Sequence, residues 1–362
     1  MRVADLDTPA LLIDYDKARA NIDAMATAIA AEGVALRPHA KTHKMPQIAW
    51  MQLAAGSPGI TVAKLGEAEV MAAAGIRDIF IAYPIVGAQK LERLTRLAAD
   101  NRVRVAADSW DVLAGVSAAA VCRGLRIDVL LEVDSGFERC GLQTPGQALA
   151  LARRAQDLPG VQVVGLMGFG GQSYDAASEE EIARIGRAEA TQLVELAGIA
   201  RAEGIELTEI SVGSTPTSRY AAKVSGVTEA RPGNYVFSDR IQAHLGWRDL
   251  DACALTVLTT VVSRPTPDRA VVDVGSKGLS SDAALDRGYG AVIGQPTAAV
   301  ERLTEEHGIL RLAEDRGLAV GDKVRVIPNH ACAALNLYDE AWIVVDGRIE
   351  DRWPVAARGK MQ

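Results

Sequence analysis

Hydrophobic and polar positions alternate between two textures over the first two thirds of the chain. Short β-branched runs at 10–14, 34–39, 60–63, 79–83, 103–107, 127–133, 161–169 and 207–212 read as strands, because branched side chains fit a pleated, half-buried surface. Longer Ala/Leu-rich stretches lie between them. Ala18, Ile22, Met25 and Ile29 recur at i, i+4, i+7 and i+11 and share one helical face. Residues 179–203 form another helical stretch, ended by Gly204. Eight strands alternating with helices over roughly 240 residues predict an α/β architecture, a (β/α)8 TIM-type barrel. A doubly wound open sheet shares the alternation, but the G-x-G-x-x-G expected after an early strand is missing.

The texture changes after Trp247. Residues 254–263, 269–274 and 324–327 are β-rich, and 343–345 reaches Arg348-Ile349 through Asp346-Gly347. Asp-Gly between such runs signals a hairpin, because both turn residues take positive φ. The chain thus divides into a barrel over 10–247 and an antiparallel β domain over 248–362, with residues 1–9 packing against the second.

Composition narrows the function. With 39 Lys and Arg against 46 Asp and Glu, a net charge of −7 and no basic block, nucleic acid is not the expected partner. Met1–Asp7 has no apolar signal core, and no window approaches a membrane span. Four cysteines, Cys122, Cys140, Cys253 and Cys332, show no C-x-x-C pair, which fits a reducing cytoplasm.

Catalytic groups of such barrels gather at the C-terminal strand ends. The second strand runs into Arg37-Pro38-His39-Ala40-Lys41-Thr42-His43-Lys44. On an extended backbone Arg37, His39 and Lys41 share one side, where mutual repulsion would turn Lys41 into an amine nucleophile. A solvated basic loop is the other reading. The sixth strand ends in a Gly-rich, mixed-charge loop containing Glu132, Asp134 and Arg139, and the seventh in Gly168-Phe169-Gly170-Gly171-Gln172-Ser173-Tyr174. The eighth ends in Gly213-Ser214-Thr215-Pro216-Thr217, followed by Arg231-Pro232-Gly233-Asn234-Tyr235. These small residues suit either a phosphate corner or an ordinary capped turn. In Pro328-Asn329-His330-Ala331-Cys332, His330 and Cys332 at i, i+2 on a strand would point the same way. They can share a catalytic ion with open positions, or be a hydrogen-bonded histidine beside a buried cysteine.

The order of these segments, with Asp7-Thr8-Pro9 near the start and Trp353-Pro354 near the end, resembles the D-threonine aldolase and D-serine dehydratase family. That is the metal-dependent branch of the alanine-racemase-fold pyridoxal phosphate enzymes. The resemblance spans essentially the whole chain and is closer to the D-serine dehydratase-like members. It implies a homodimer in which Lys41 carries pyridoxal 5′-phosphate through its amine. It assigns cofactor contacts to Arg139, Gln172, Tyr174, Gly213, Ser214, Thr215, Arg231, Gly233, Asn234 and Tyr235. It makes His330 and Cys332 the ligands of a divalent metal: zinc, manganese or magnesium.

Two reactions of a small β-hydroxy-D-amino acid follow from the resemblance. Removal of the Cα proton by Lys41 leads to β-elimination, yielding a keto acid and ammonia. Removal of the β-hydroxyl proton, with His39, His43 or a metal-bound hydroxide as candidate base, splits Cα from Cβ and leaves glycine and an aldehyde. Family dehydratases tend to carry His-x-Cys and the better-known D-threonine aldolases His-x-Asp, so Cys332 favours elimination. A racemase would need a second base, for which Tyr289 is a weak counterpart. A cofactor carrier would lack the second domain.

Overall fold

A computed structural model describes residues 1–283, 288–295, 298–312 and 317–362. The chain forms two compact units: one of Met1–Asp23, Thr42–Met45 and Asn234–Arg358, the other of Ala24–Lys41, Pro46–Gly233 and Gly359–Gln362. The described strands, in chain order, are β1 (Ala10–Asp14), β2 (Ala35–Leu36), β3 (Ile60–Val62), β4 (Asp78–Pro84), β5 (Arg102–Ala107), β6 (Ile127–Glu132), β7 (Val161–Met167), β8 (Glu209–Val212) and β9 (Glu229–Ala230). They continue with β10 (Leu255–Thr266), β11 (Arg269–Val272), β12 (Gly290–Val292), β13 (Ala298–Leu303), β14 (Gly308–Leu312), β15 (Lys323–Pro328), β16 (Glu340–Val345) and β17 (Arg348–Pro354).

Strands β2 to β9 build the (β/α)8 barrel as one parallel sheet, in the order β2-β9-β8-β7-β6-β5-β4-β3. Its ends meet just beyond β2. There His39 bridges Thr61, and the Thr61 N–H donates to the Pro38 carbonyl at 2.8 Å. Pro38 offers a carbonyl but no N–H, so regular pairing stops there and the chain turns into the 3-10 segment Ala40–Thr42. Phe80, Ala106, Leu130 and Met167, one from each of β4 to β7, form an apolar layer. The helix Glu179–Ala202 starts at Ser178, whose Oγ accepts from the Glu181 N–H, and three glutamates fill its first turn, where the helix dipole favours them.

Charged side chains share the barrel interior. Arg37 donates to Glu229 and, at 2.7 Å, to Asp78, while Arg104 reaches Glu229 at 3.2 Å and also pairs with Glu209. Ser211 Oγ donates to Glu229 at 2.6 Å and itself accepts from Arg231 at 2.6 Å. Arg37 is therefore neutralised by carboxylates, not pressed against His39 and Lys41, which overturns the expectation of three mutually repelling bases. Close approach leaves no room for a side chain at residue 59: a Cβ on Gly59 would lie 2.3 Å from an Arg37 nitrogen.

The other unit is a nine-stranded sheet in the order β11-β14-β13-β12-β15-β10-β1-β16-β17. An additional β10–β11 pairing closes its first six strands into an antiparallel ring. Here two strand assignments need correction. Residues 10–14 do not open the barrel: β1 pairs antiparallel with β10 and parallel with β16. Both faces of β1 are covered, so its run of apolar residues looks like a barrel strand in sequence. The missing barrel strand is β9, too short at two residues to show a period. The Asp346-Gly347 turn is as expected, with φ of 48° and 75° joining β16 to β17. Among the described residues, no helix is long and apolar enough to cross a membrane.

Burial pushes the Glu229 carboxyl up, but Arg37, Arg104 and Ser211 outweigh it and hold it below the usual range. A carboxylate depressed in the fold stabilises above its unfolded pKa, about 4.3, and that contribution fades as pH falls through the lower folded value. Glu229→Ala removes one carboxylate shared by two buried guanidiniums, which keep Asp78 and Glu209, and is expected to cost up to about 3–5 kcal/mol in urea denaturation at neutral pH. The variant should also lose less further stability than wild type below about pH 4.3. Equal acid dependence in both would show that Glu229 does not carry this linkage.

Candidate active site

Within the barrel unit, the loops after β2, β6, β7 and β8 hold most of the residues singled out from sequence. Lys41 is half-buried in the turn after β2, with its Nζ 5.7 Å from the centre of the Phe169 ring. The Lys41 N–H donates to His39 Nδ1 at 3.4 Å, so that ring nitrogen serves as an acceptor. Arg139, on the loop after β6, lies over the same Phe169 ring at 4.9 Å and over Phe137 at 5.4 Å. Gln172 donates to the Ser135 carbonyl at 2.7 Å, and Tyr174 is half-buried in the same short helix. Glycine is required here: a Cβ on Gly171 would sit 2.5 Å from Phe169 and 2.8 Å from Phe137.

One residue absent from the sequence reading ties two of these loops. Glu189, on the helix Glu179–Ala202, is 1% exposed. It accepts the Gly213 N–H at 2.8 Å on one oxygen and the Gly170 N–H at 3.1 Å on the other. Burial pushes its carboxyl up, against those N–H groups and Arg231. Gly213 holds φ of 117°, and the buried Ser214 hydroxyl is 2.8 Å from Thr217 Oγ1 and 3.4 Å from Ser173 Oγ. Thr215 and Gly233 are buried on the neighbouring loops. Arg231 is also buried, donating to Ser211 and, at 2.6 Å, to the Gly168 carbonyl. Burial pulls its pKa down, against the opposing charges of Glu229, Glu189 and Glu132.

These residues fit pyridoxal phosphate. An amine stands beside an aromatic ring, a Gly-Ser-Thr turn offers the small surface a phosphate needs, and buried polar atoms remain to be matched. Gln172 Oε1, Ser135 Oγ and Glu132 Oε2 are buried without hydrogen-bond partners among the described residues, a costly state unless a ligand supplies them.

The second group lies within the β unit. His330 and Cys332 were expected on one strand face. Instead β15 ends at Pro328, His330 caps the helix Ala331–Leu335, and Cys332 lies in its first turn. Side-chain contact replaces strand alternation as the reason they meet. Burial opposes a charged imidazole at His330, yet the neighbouring Cys332 thiolate and Asp282 carry its pKa up to about 11. Burial likewise pushes the Cys332 thiol up, but His330 and Thr42 outweigh it and bring the thiol below its usual value. Thr42 Oγ1 and Cys332 Sγ are 3.2 Å apart. His43 is fully buried, its Nδ1 accepting the Met45 N–H at 3.1 Å.

Asp239, also missed in the sequence, organises this group. Fully buried, it accepts from the Gln242 N–H and the Ala331 N–H, each at 2.8 Å, and from the Asn234 side chain. Burial pushes its carboxyl up. It thereby fixes the main chain between His330 and Cys332 and holds Asn234, whose Oδ1 is buried without a partner among the described residues. Tyr235 is fully buried beside it. Among the described residues no three His, Cys, Asp or Glu side chains form a ready metal cage. An imidazole and a low-pKa thiol in contact still fit a divalent ion as its protein share, with other positions left to substrate and water.

The model of the alanine racemase N-terminal domain family matches residues 13–240, and that of the serine dehydratase domain matches residues 254–344. The chain is 38% identical to the D-threonine aldolase of Arthrobacter sp. over 99% of its own length and 94% of that protein. The chain belongs to the D-threonine aldolase and D-serine dehydratase family. That family consists of lyases built on the alanine racemase fold, and its cofactor is pyridoxal phosphate. A second relative is the D-threo-3-hydroxyaspartate dehydratase of Delftia sp., 34% identical over 91% of each chain. Among solved structures, the D-threonine aldolase from Filomicrobium marinum has a TM-score of 0.91 at 32% identity, covering 99% of this chain and 98% of that one. A cysteine-to-alanine variant of D-threo-3-hydroxyaspartate dehydratase, in a metal-free form, has a TM-score of 0.92 at 32% identity, covering 98% of each chain. A histidine-to-alanine variant of a dehydratase of that name, two positions earlier, has also been solved.

Replacing Glu189 with Gln sets an amide N–H2 against one of two backbone donors. The expected loss is about 1–3 kcal/mol of folding stability, the cost of leaving a buried donor unmatched, measured by urea denaturation. An unchanged midpoint would show that the two loops are held without this carboxylate.

Proposed function

We propose that this lyase acts on β-hydroxy-D-amino acids by β-elimination, with pyridoxal phosphate and a divalent metal, and releases a keto acid and ammonia. The observation that carries the reading is the identity and place of Cys332, a thiol two positions after His330 and in the first turn of the helix that follows it. The dehydratase variants described above, a histidine and a cysteine two positions apart and a metal-free form of the latter, carry the same spacing.

Lys41 would hold the cofactor through Nζ, and Gly213, Ser214, Thr215, Gly233 and Asn234 would hold its phosphate. Bound pyridoxal phosphate supplies an electron sink for a carbanion at Cα. Lys41 Nζ would accept the Cα proton, the step that commits the substrate to elimination. Arg139, Gln172 and Tyr174 would contact the ring, and Arg231, which donates to Ser211 and the Gly168 carbonyl, would also face the cofactor. His330 and Cys332 would hold the metal, whose chemistry is Lewis-acid assistance to the departing β-hydroxyl.

The Arthrobacter relative favours a second reading, retro-aldol cleavage to glycine and an aldehyde. There the proton to be moved is on the β-hydroxyl oxygen, and His39 or His43 is the candidate base.

Product analysis separates the two. D-serine, D-threonine and D-3-hydroxyaspartate are each supplied with pyridoxal phosphate and zinc, manganese or magnesium. Keto acid with equimolar ammonia is the expected result; glycine as dominant product overturns elimination in favour of cleavage. Lys41→Ala should fold normally and lose the near-visible absorbance of the bound cofactor. Chelation should remove most turnover and leave that absorbance in place. The same reading carries a homodimer, for which light scattering should give twice the chain mass.

A further inference from the structure

His330 has two ring nitrogens, and only one can face an ion. Its Nδ1 is 2.6 Å from Asp282 Oδ2. An ionised carboxylate only accepts, so this contact keeps a proton on Nδ1 and makes Nε2 the nitrogen that gives up its proton to coordinate an ion. Asp282 lies 48 residues upstream of His330, on a segment that no motif marked. It is nonetheless built into the same structure. Asn329, fully buried and next to His330 in sequence, donates to the Asp282 carbonyl at 2.8 Å and to the Gly288 carbonyl at 2.6 Å. Arg240 steadies Asn329 by donating to its Oδ1 at 3.2 Å. On the other side of His330 in sequence, Asp239 holds the Ala331 N–H. The main chain at residues 329–331 is thus tethered on both sides, and the ring is oriented by a third group.

The geometry points to Asp282 as a positioning residue that fixes the His330 tautomer and presents Nε2 to a divalent metal. The inference rests on reading His330 and Cys332 as metal ligands. Carboxylate–histidine–metal relays hold ring and proton in place, and their loss weakens metal binding by about 10- to 100-fold. The Asp282 side chain is 45% exposed, so its removal leaves no cavity in a packed core.

The test is a cobalt(II) titration of the full-length, cofactor-loaded protein after chelation, following the near-ultraviolet absorption of a cobalt–thiolate bond. Wild type should develop the band and Cys332→Ala should not. Asp282→Ala should keep its thermal midpoint, reach the same band and need about 10- to 100-fold more cobalt. Asp282→Asn, which retains an acceptor oxygen, should recover most of the affinity. Ring nitrogen NMR of the zinc form should place the proton on Nδ1 in wild type and lose that preference in Asp282→Ala. Wild-type affinity in Asp282→Ala, or loss of its folded midpoint, overturns the positioning role alone. Absence of the band in wild type overturns the metal reading itself.

Discussion

The barrel depends on how one carboxylate closes it. Glu229 sits on the two-residue strand β9, which joins β8 to β2. A strand that short contributes few ladder bonds. The Glu229 side chain compensates by binding Arg37 beyond β2, Arg104 on β5 and Ser211 on β8. Ser211 passes the chain of contacts to Arg231, and Arg231 to the Gly168 carbonyl at the mouth. Closure and the floor of the candidate site are therefore one connected polar network. Such networks impose a unique arrangement when fully satisfied and are costly when broken.

The same device recurs twice at smaller scale. Glu189 and Asp239 are buried carboxylates whose partners are mainly backbone N–H groups of separate loops. Loops rich in glycine and serine have little apolar surface with which to hold a shape. A fixed acceptor beneath them supplies what packing cannot. The residues that meet ligands can then stay small, while the residues that shape the loops come from neighbouring helices and turns.

Legibility of the sequence follows from this division. Seven barrel strands, the Asp346-Gly347 hairpin and the buried stripe of Ala18, Ile22, Met25 and Ile29 come from period and turn chemistry, which are local. Lys41, Gly213, Arg231, His330 and Cys332 stand out because their motifs are compact. β9 carries no period, and β1 is apolar on both faces, so its sheet could not be read from pattern. Glu189 was hidden among the glutamates of its helix, although a charge on the buried stripe with Ile182, Ile185 and Leu193 was a usable signal. Asp239 and Asp282 act at distances of 92 and 48 residues, and no spacing rule reaches that far.

β17 has a bearing on behaviour in concentrated solution. Ring closure between β10 and β11 absorbs one end of the nine-stranded sheet, and β17 is the last of the nine strands at the other, bridged at its start by Arg2 and the Met1 carbonyl. Its sequence, Arg348-Ile349-Glu350-Asp351-Arg352-Trp353-Pro354, alternates charge of both signs and ends in a residue that cannot donate. An incoming strand would have to desolvate four charges and would meet a gap in the ladder at Pro354. The sheet thus resists growing from one molecule into the next.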